Sequence, residues 1–160
     1  MSYREIEMLI ASKYGVQADG TKKSIGDFLL GNDKAMPVNV KSNNVDKKNY
    51  SPNIISAKRL INWLSNEDNK LFFVFVDYKN KDGELKIEKS TELIPVEHLS
   101  WECLSIQAQG WGVIQMSKAL VVNKNQTKAE FMQGLKIAYK DYVTKQEAKM
   151  KKISEIINNL

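Results

Sequence analysis

Between Ser24 and Ser56 the chain reads SIGDFLLGNDKAMPVNVKSNNVDKKNYSPNIIS, and three of its side chains suit one chemistry. Asp27 sits in a strand-like run from Ser24 to Leu30. Turn residues Gly31, Asn32 and Asp33 follow, and Met36 to Ser42 reads as a second strand carrying Asn39, Val40 and Lys41. Residues 39 and 41 are two apart, so in a strand both side chains leave the same face. If the two runs are adjacent strands, Asp27, Asn39 and Lys41 meet at one end of a sheet. Carboxylate oxygens in such a cluster hold Mg²⁺, which lowers the pKa of a bound water, while a neighbouring lysine positions or deprotonates that water. The reaction this suits is phosphodiester hydrolysis.

The rest of the chain supplies elements to hold that cluster. Residues 2 to 13 pattern as an amphipathic helix, with Ile6, Leu9, Ile10 and Tyr14 on one side and an end near Gly15. Gln17 to Lys23 is a polar connection. Asn43 to Asn49 is a lysine-containing loop, after which Pro52 suits the first turn of a helix capped by Ser51 and running through Ile54, Ile55, Leu60, Ile61 and Leu64. Lys70 to Tyr78, KLFFVFVDY, is a buried central strand, with Trp63, Phe72, Phe73 and Phe75 as core residues. Asn80 to Gly83 turns the chain into a partner strand, Glu84 to Glu88. Leu104 to Met116 alternates like a strand and is bent at Gly110 and Gly112. From Thr127, with Glu130 at capping-box spacing, Phe131, Leu135, Ala138, Tyr142, Ile153 and Ile156 keep a helical period. Lys136, Lys140, Lys145, Lys149, Lys151 and Lys152 make that helix basic.

At 160 residues the chain is expected to form one domain, residues 1–160, with a single core. A net charge of +5 is compatible with a polyanionic partner and equally with solvated lysine-rich faces. The lone Cys103 excludes an internal disulfide, and with His98 the only histidine there is no Cys or His zinc cluster. No apolar run approaches membrane-spanning length and the N-terminus lacks a signal peptide's apolar stretch, so an intracellular protein is expected.

The segment around Asp27 resembles the active-site region of the PD-(D/E)xK nucleases, and within them the HincII-like type II restriction endonucleases. The likeness runs without a gap from Asn39-Val40-Lys41, where that family has Asp-Val-Lys, to Pro52-Asn53-Ile54-Ile55-Ser56-Ala57, where it has the same string. A weaker likeness continues at Trp101, at Gln107-Ala108-Gln109 and from Lys128 to Gln146. The resemblance implies an α/β fold with a restriction-endonuclease-like core: a mixed central β-sheet of about five strands flanked by helices. It implies Mg²⁺-dependent, sequence-specific hydrolysis of double-stranded DNA by a homodimer, in the cytoplasm of a prokaryotic cell. Asp27 would be the primary metal ligand, Asn39 would occupy the second ligand position, the Val40 carbonyl would be a further ligand, and Lys41 would act on the water. A helix ahead of the first core strand often adds a glutamate, for which Glu5 and Glu7 are the candidates.

For DNA contact the resemblance points to Asn43, Lys47, Lys48, Tyr50, Asn53, Gln107 and Gln109. Asn53 can read an adenine edge and Lys47 and Lys48 can neutralise phosphates, while Tyr50 stands where the family has an inserting glutamine. Helix capping by Asn53, a solvated loop for the lysines and an exposed strand face for the glutamines stay open beside these roles. Two positions depart from the family. Its leading proline is Gly26, and its second acid is Asn39, whose amide offers a cation one neutral oxygen and no charge. A protein that keeps the fold and holds DNA uncut, and a nicking or heteromeric subunit, are the rival readings.

Overall fold

The structure is a computed structural model that describes residues 3–18, 25–47 and 51–160. The chain divides into two compact units, Met1–Tyr50 with Trp63–Val96, and Ser51–Asn62 with Glu97–Leu160.

The first unit is built on a five-stranded mixed sheet. Strand β1 (Phe28–Leu29) lies antiparallel to β2 (Pro37–Asn44), with Phe28 opposite Val38. Strand β2 runs parallel to the long apolar strand, Phe72–Lys81, with Asn39 beside Phe73 and Lys41 beside Phe75. Glu84–Ser90 and Ile94–Pro95 both pair antiparallel with that long strand. The hairpin at its end turns on Asp82 and Gly83, both at positive φ (53° and 78°), the conformation a tight two-residue turn needs. Helix α1 (Tyr3–Lys13) covers the Val38 and Val40 side of β2. Ile6, Ile10 and Ala11 join Phe28, Val38, Val40, Val74, Val76 and Tyr78 in one core. Leu9, expected on the buried side, is exposed, because Ala11 completes the packed stripe instead.

The first strand is much shorter than the run from Ser24 to Leu30 suggested. Leu30–Asn32 turns into a 3-10 helix in which Gly31 takes φ 58°, ending the strand after two residues. Asp27 therefore stands just ahead of β1, with its N–H donating to the Val38 carbonyl at 2.7 Å.

The second unit holds a sheet that the sequence did not disclose. Strand β3 (Asn53–Ser56) pairs with Val113–Met116, which pairs with Leu104–Gln107, all antiparallel. The helix expected from Pro52 begins only at Ala57, and α2 spans Ala57–Leu64. Two β-branched residues, Ile54 and Ile55, are buried more favourably as strand against a waiting partner than as a first helical turn. Ser56, not Ser51, sits at the helix start, its Oγ accepting from the Arg59 N–H at 3.3 Å. The last helix, α3, spans Lys128–Asn158 from the expected capping box: Glu130 N–H donates to Thr127 Oγ1 at 3.1 Å and Thr127 N–H to Glu130 Oε1 at 3.2 Å. Only Phe131 and Leu135 of α3 are buried; Ile153 and Ile156 are exposed. Among the described residues no helix is long and apolar enough to cross a membrane.

Candidate active site

In the first unit, backbone pairing sets the geometry around Asp27. Because Asp27 N–H is bonded to Val38 O, its side chain falls against the next stretch of β2, and Oδ2 accepts the Val40 N–H at 2.6 Å. Gly26 makes this approach feasible. A Cβ at that position would lie 2.7 Å from Val38 O and 2.9 Å from Val38 N, inside any tolerable contact with backbone. On β2 the alternation buries Val38 and Val40 and leaves Asn39 and Lys41 half-buried on the other face. The Asn39 amide group donates to Ile25 O at 3.4 Å, which turns Nδ2 toward the chain just ahead of Asp27.

The electrostatics draw a fourth residue into the group. Burial pushes the Asp27 carboxyl above the ordinary carboxylate value, against the opposing effects of the Val40 N–H and the Lys41 charge. Burial lowers the Lys41 ammonium, and the charges of Asp27 and Glu7 only partly restore it. Glu7 of α1 is raised by burial and then by the Asp27 charge, with Arg4 and Lys41 acting the other way. Glu7 thus feels both Asp27 and Lys41, whereas Glu5 is exposed. The sequence left Glu5 and Glu7 level. What separates them is position relative to Ile6 and Ile10, which fix the face that α1 turns to the sheet.

Two carboxylates, a carboxamide and the backbone beside them form a hard oxygen donor set. Raised carboxyls are what burial of acidic groups without enough neutralising charge produces, and Mg²⁺ typically uses only one or two protein carboxylates with water and substrate oxygens. These residues fit that ion. They fit it thinly, because the described residues contain no group of three or more His, Cys, Asp or Glu side chains able to hold a metal. The position that the resemblance gives to a further acid is the neutral Asn39.

Asn43 also lies on β2, but its Nδ2 donates to Asp77 Oδ1 at 3.1 Å on the neighbouring strand, a partner the register places directly beside it. Lys47 is exposed. Lys48 and Tyr50 lie outside the described residues.

The second unit gathers the amide residues. Asn53, at the exposed start of β3, donates from Nδ2 to Gln109 Oε1 at 3.2 Å, and its Oδ1 accepts from Gln115 Nε2 at 3.3 Å. Gln107 stands apart from this group, donating to Ser105 Oγ at 3.0 Å. Gln115 was missed in the sequence. The sign available was alternation in Val113–Met116, where Ile114 and Met116 are buried and Gln115 faces outward. Trp111 was missed too. It is 84% exposed on a turn where Gly110, Trp111 and Gly112 all have positive φ (55°, 67° and 114°), and its carbonyl accepts the Tyr139 hydroxyl at 2.6 Å.

No protein family profile matches the chain, and no curated protein matches it in sequence. Solved structures do match it in fold. One is "NlaIV restriction endonuclease", with a TM-score of 0.53 and 14% identity, over 84% of this chain and 61% of that one. The chain therefore spans less than two thirds of that protein's length. At this identity the likeness is one of architecture: the chain has a mixed α/β, restriction-endonuclease-like fold.

Proposed function

We propose that the chain is a Mg²⁺-dependent endonuclease of the PD-(D/E)xK type, cutting double-stranded DNA at a specific sequence as a type II restriction enzyme, with its two units serving one domain. The observation that carries this reading is Asp27 Oδ2 held at 2.6 Å by the N–H of Val40, between Asn39 and Lys41, with Glu7 in electrostatic reach of Asp27 and Lys41. Asp27, Glu7, the Asn39 amide oxygen and the Val40 carbonyl would hold Mg²⁺, which would supply an acidified water and offset the negative charge that develops on the phosphoryl oxygens. Lys41 sits beside them with its proton held less tightly than on a surface lysine, which suits taking a proton from the attacking water. Asn53, Gln109 and Gln115 offer paired donors and acceptors suited to base edges, and Lys47 offers a charge for phosphate. Lys48, Tyr50, Asn43 and Gln107 keep the DNA-contact roles that the resemblance implies. A palindromic target cut on both strands calls for two copies.

A second reading is favoured by one feature, the Asn39 amide: a protein of this fold that holds DNA without cutting it. Digestion of long mixed-sequence DNA in Mg²⁺ by the Asn39→Asp protein, beside the protein itself, decides between the two. Discrete fragments from Asn39→Asp support the nuclease. If neither protein cuts while both retard DNA in a gel, the cleavage reading fails and the binding protein stands.

A further inference from the structure

Helix α3 is far longer than its packing accounts for. From Thr144 to Asn158 none of its residues is buried, yet it is not uniformly polar there. Val143, Gln146, Met150, Ile153 and Ile157, with Leu160 just beyond the helix end, follow one another at steps of three, four, three, four and three. That 3.5-residue repeat is the seam of a coiled coil, with Val143, Met150 and Ile157 at the first core position of each heptad and Gln146, Ile153 and Leu160 at the second. Met150, Ile153, Ile157 and Leu160 are 66%, 56%, 58% and 101% exposed. Four turns of helix without tertiary support are marginal in water, and a stripe of this size left wet is unfavourable.

We propose that this seam is a homodimer interface, formed by parallel, in-register pairing with α3 of a second copy of the chain. Three features select a second copy. The positions flanking the seam over this stretch carry one acid and one base, Glu147 and Lys149, with Ser154 and Ile156. In parallel, in-register pairing with a copy of itself, this set places no like charges opposite one another. The remaining charges, Lys145, Lys151, Lys152 and Glu155, fall on the outer face. Gln146 is the single polar core position, and a carboxamide facing its own copy in register can both donate and accept, which fixes alignment. At the near end of the seam a groove of about 420 Å³ is lined by Trp111, Tyr139, Tyr142, Val143, Gln146 and Met150, so the exposed indole adds to the surface a second helix would cover.

The inference does not depend on the cleavage reading and is tested without DNA or metal. Sedimentation of the full chain over roughly 1 to 100 µM should give a species of twice the 18.3 kDa chain mass. The double variant Ile153→Lys, Ile157→Lys changes only exposed side chains. It should halve that mass while keeping the near-ultraviolet circular dichroism of Trp101 packed on α3. The variant Ile153→Cys should form a covalent dimer on mild oxidation, the native Cys103 being buried. A parent that stays monomeric at the top of the range, a dimer that survives the double lysine variant, or a dimer that Ile153→Cys fails to cross-link would each overturn the proposal.

Discussion

The carboxylate of Asp27 and the backbone N–H of Val40 are joined by a 2.6 Å hydrogen bond that ties the residue ahead of β1 to the middle of β2. The acid is thereby held by main chain and not by a flexible side chain, as a preorganised site requires. Replacing Asp27 with Ala should abolish any Mg²⁺-dependent cleavage, and the Asn39→Asp enzyme is the background in which to measure it. Cleavage that persists within about tenfold of that background would remove Asp27 from the chemistry.

Stability should respond to pH through Asp27. Its folded pKa lies above the ordinary 3.8, so its favourable contribution is complete below that value and is lost as pH rises through the folded pKa. Asp27→Asn, which is always neutral, should therefore melt higher than the parent near neutral pH, and the gap should close on acidification. Lys41 has the opposite slope: its folded pKa is below 10.5, so its burial penalty is present at neutrality and is relieved only as pH rises through the folded pKa, outside the acid range that tests Asp27. Thermal melts of parent and Asp27→Asn in chelator, taken from about pH 3 to 8, check the sign. A parent that outlasts the variant at neutral pH contradicts it.

Gly26→Ala should destabilise the protein by about 1 to 3 kcal/mol, since the new Cβ meets the carbonyl and amide of Val38 and neither is free to swing away. Denaturant titration reads the loss. An unchanged midpoint would mean that β1 and β2 separate easily, and with them the position of Asp27.

Gly134→Ala sets two effects against each other. Alanine in a helix interior is favoured over glycine by about 1 kcal/mol. The Cβ, however, would sit 2.7 Å from Trp101 Nε1, and that indole is fixed by its bond to Phe131 O at 3.0 Å and by the Phe131 ring 5.5 Å away. Overpacking costs about 1 to 3 kcal/mol, so the substitution should destabilise on balance. A raised melting temperature would show that Trp101 has room to move.

Asn53→Ala should weaken binding to a preferred sequence by about 1 to 3 kcal/mol while leaving bulk DNA little affected, whereas Lys47→Ala should weaken both alike. Gel retardation with a selected and a scrambled duplex separates the two. Equal losses on both duplexes for Asn53→Ala would make it a backbone contact.

The parts of this architecture that were legible in the sequence are those set by local pattern. The alternation of β2, the aromatic run of the long strand, the Asp82-Gly83 hairpin and the Thr127 capping box all act within a few residues. Asn53 to Ser56 was not legible as strand, because its conformation depends on Val113–Met116, some sixty residues away. Pro52 and Ser51 carry a good helix-start signature, and tertiary pairing overrides it. The Glu7 choice was hidden for a related reason, since only the packing of Ile6 and Ile10 reveals which acid of α1 turns toward Asp27. The shortness of β1 follows from Gly31, visible in the sequence as a turn residue but not as one that ends the strand so soon.

The alternation from Val38 to Lys41 along β2 ties the core to the cluster around Asp27. Val38 and Val40 belong to the core, Asn39 and Lys41 to the other face, and all four share one backbone. A one-residue slip would turn the valines outward, bury an amide and an ammonium, and carry the Val40 N–H away from Asp27. A strand in the wrong register would therefore lose the Asp27–Val40 contact together with the core packing of the valines. The same backbone that packs the core thus also sets the register on which the cluster around Asp27 depends.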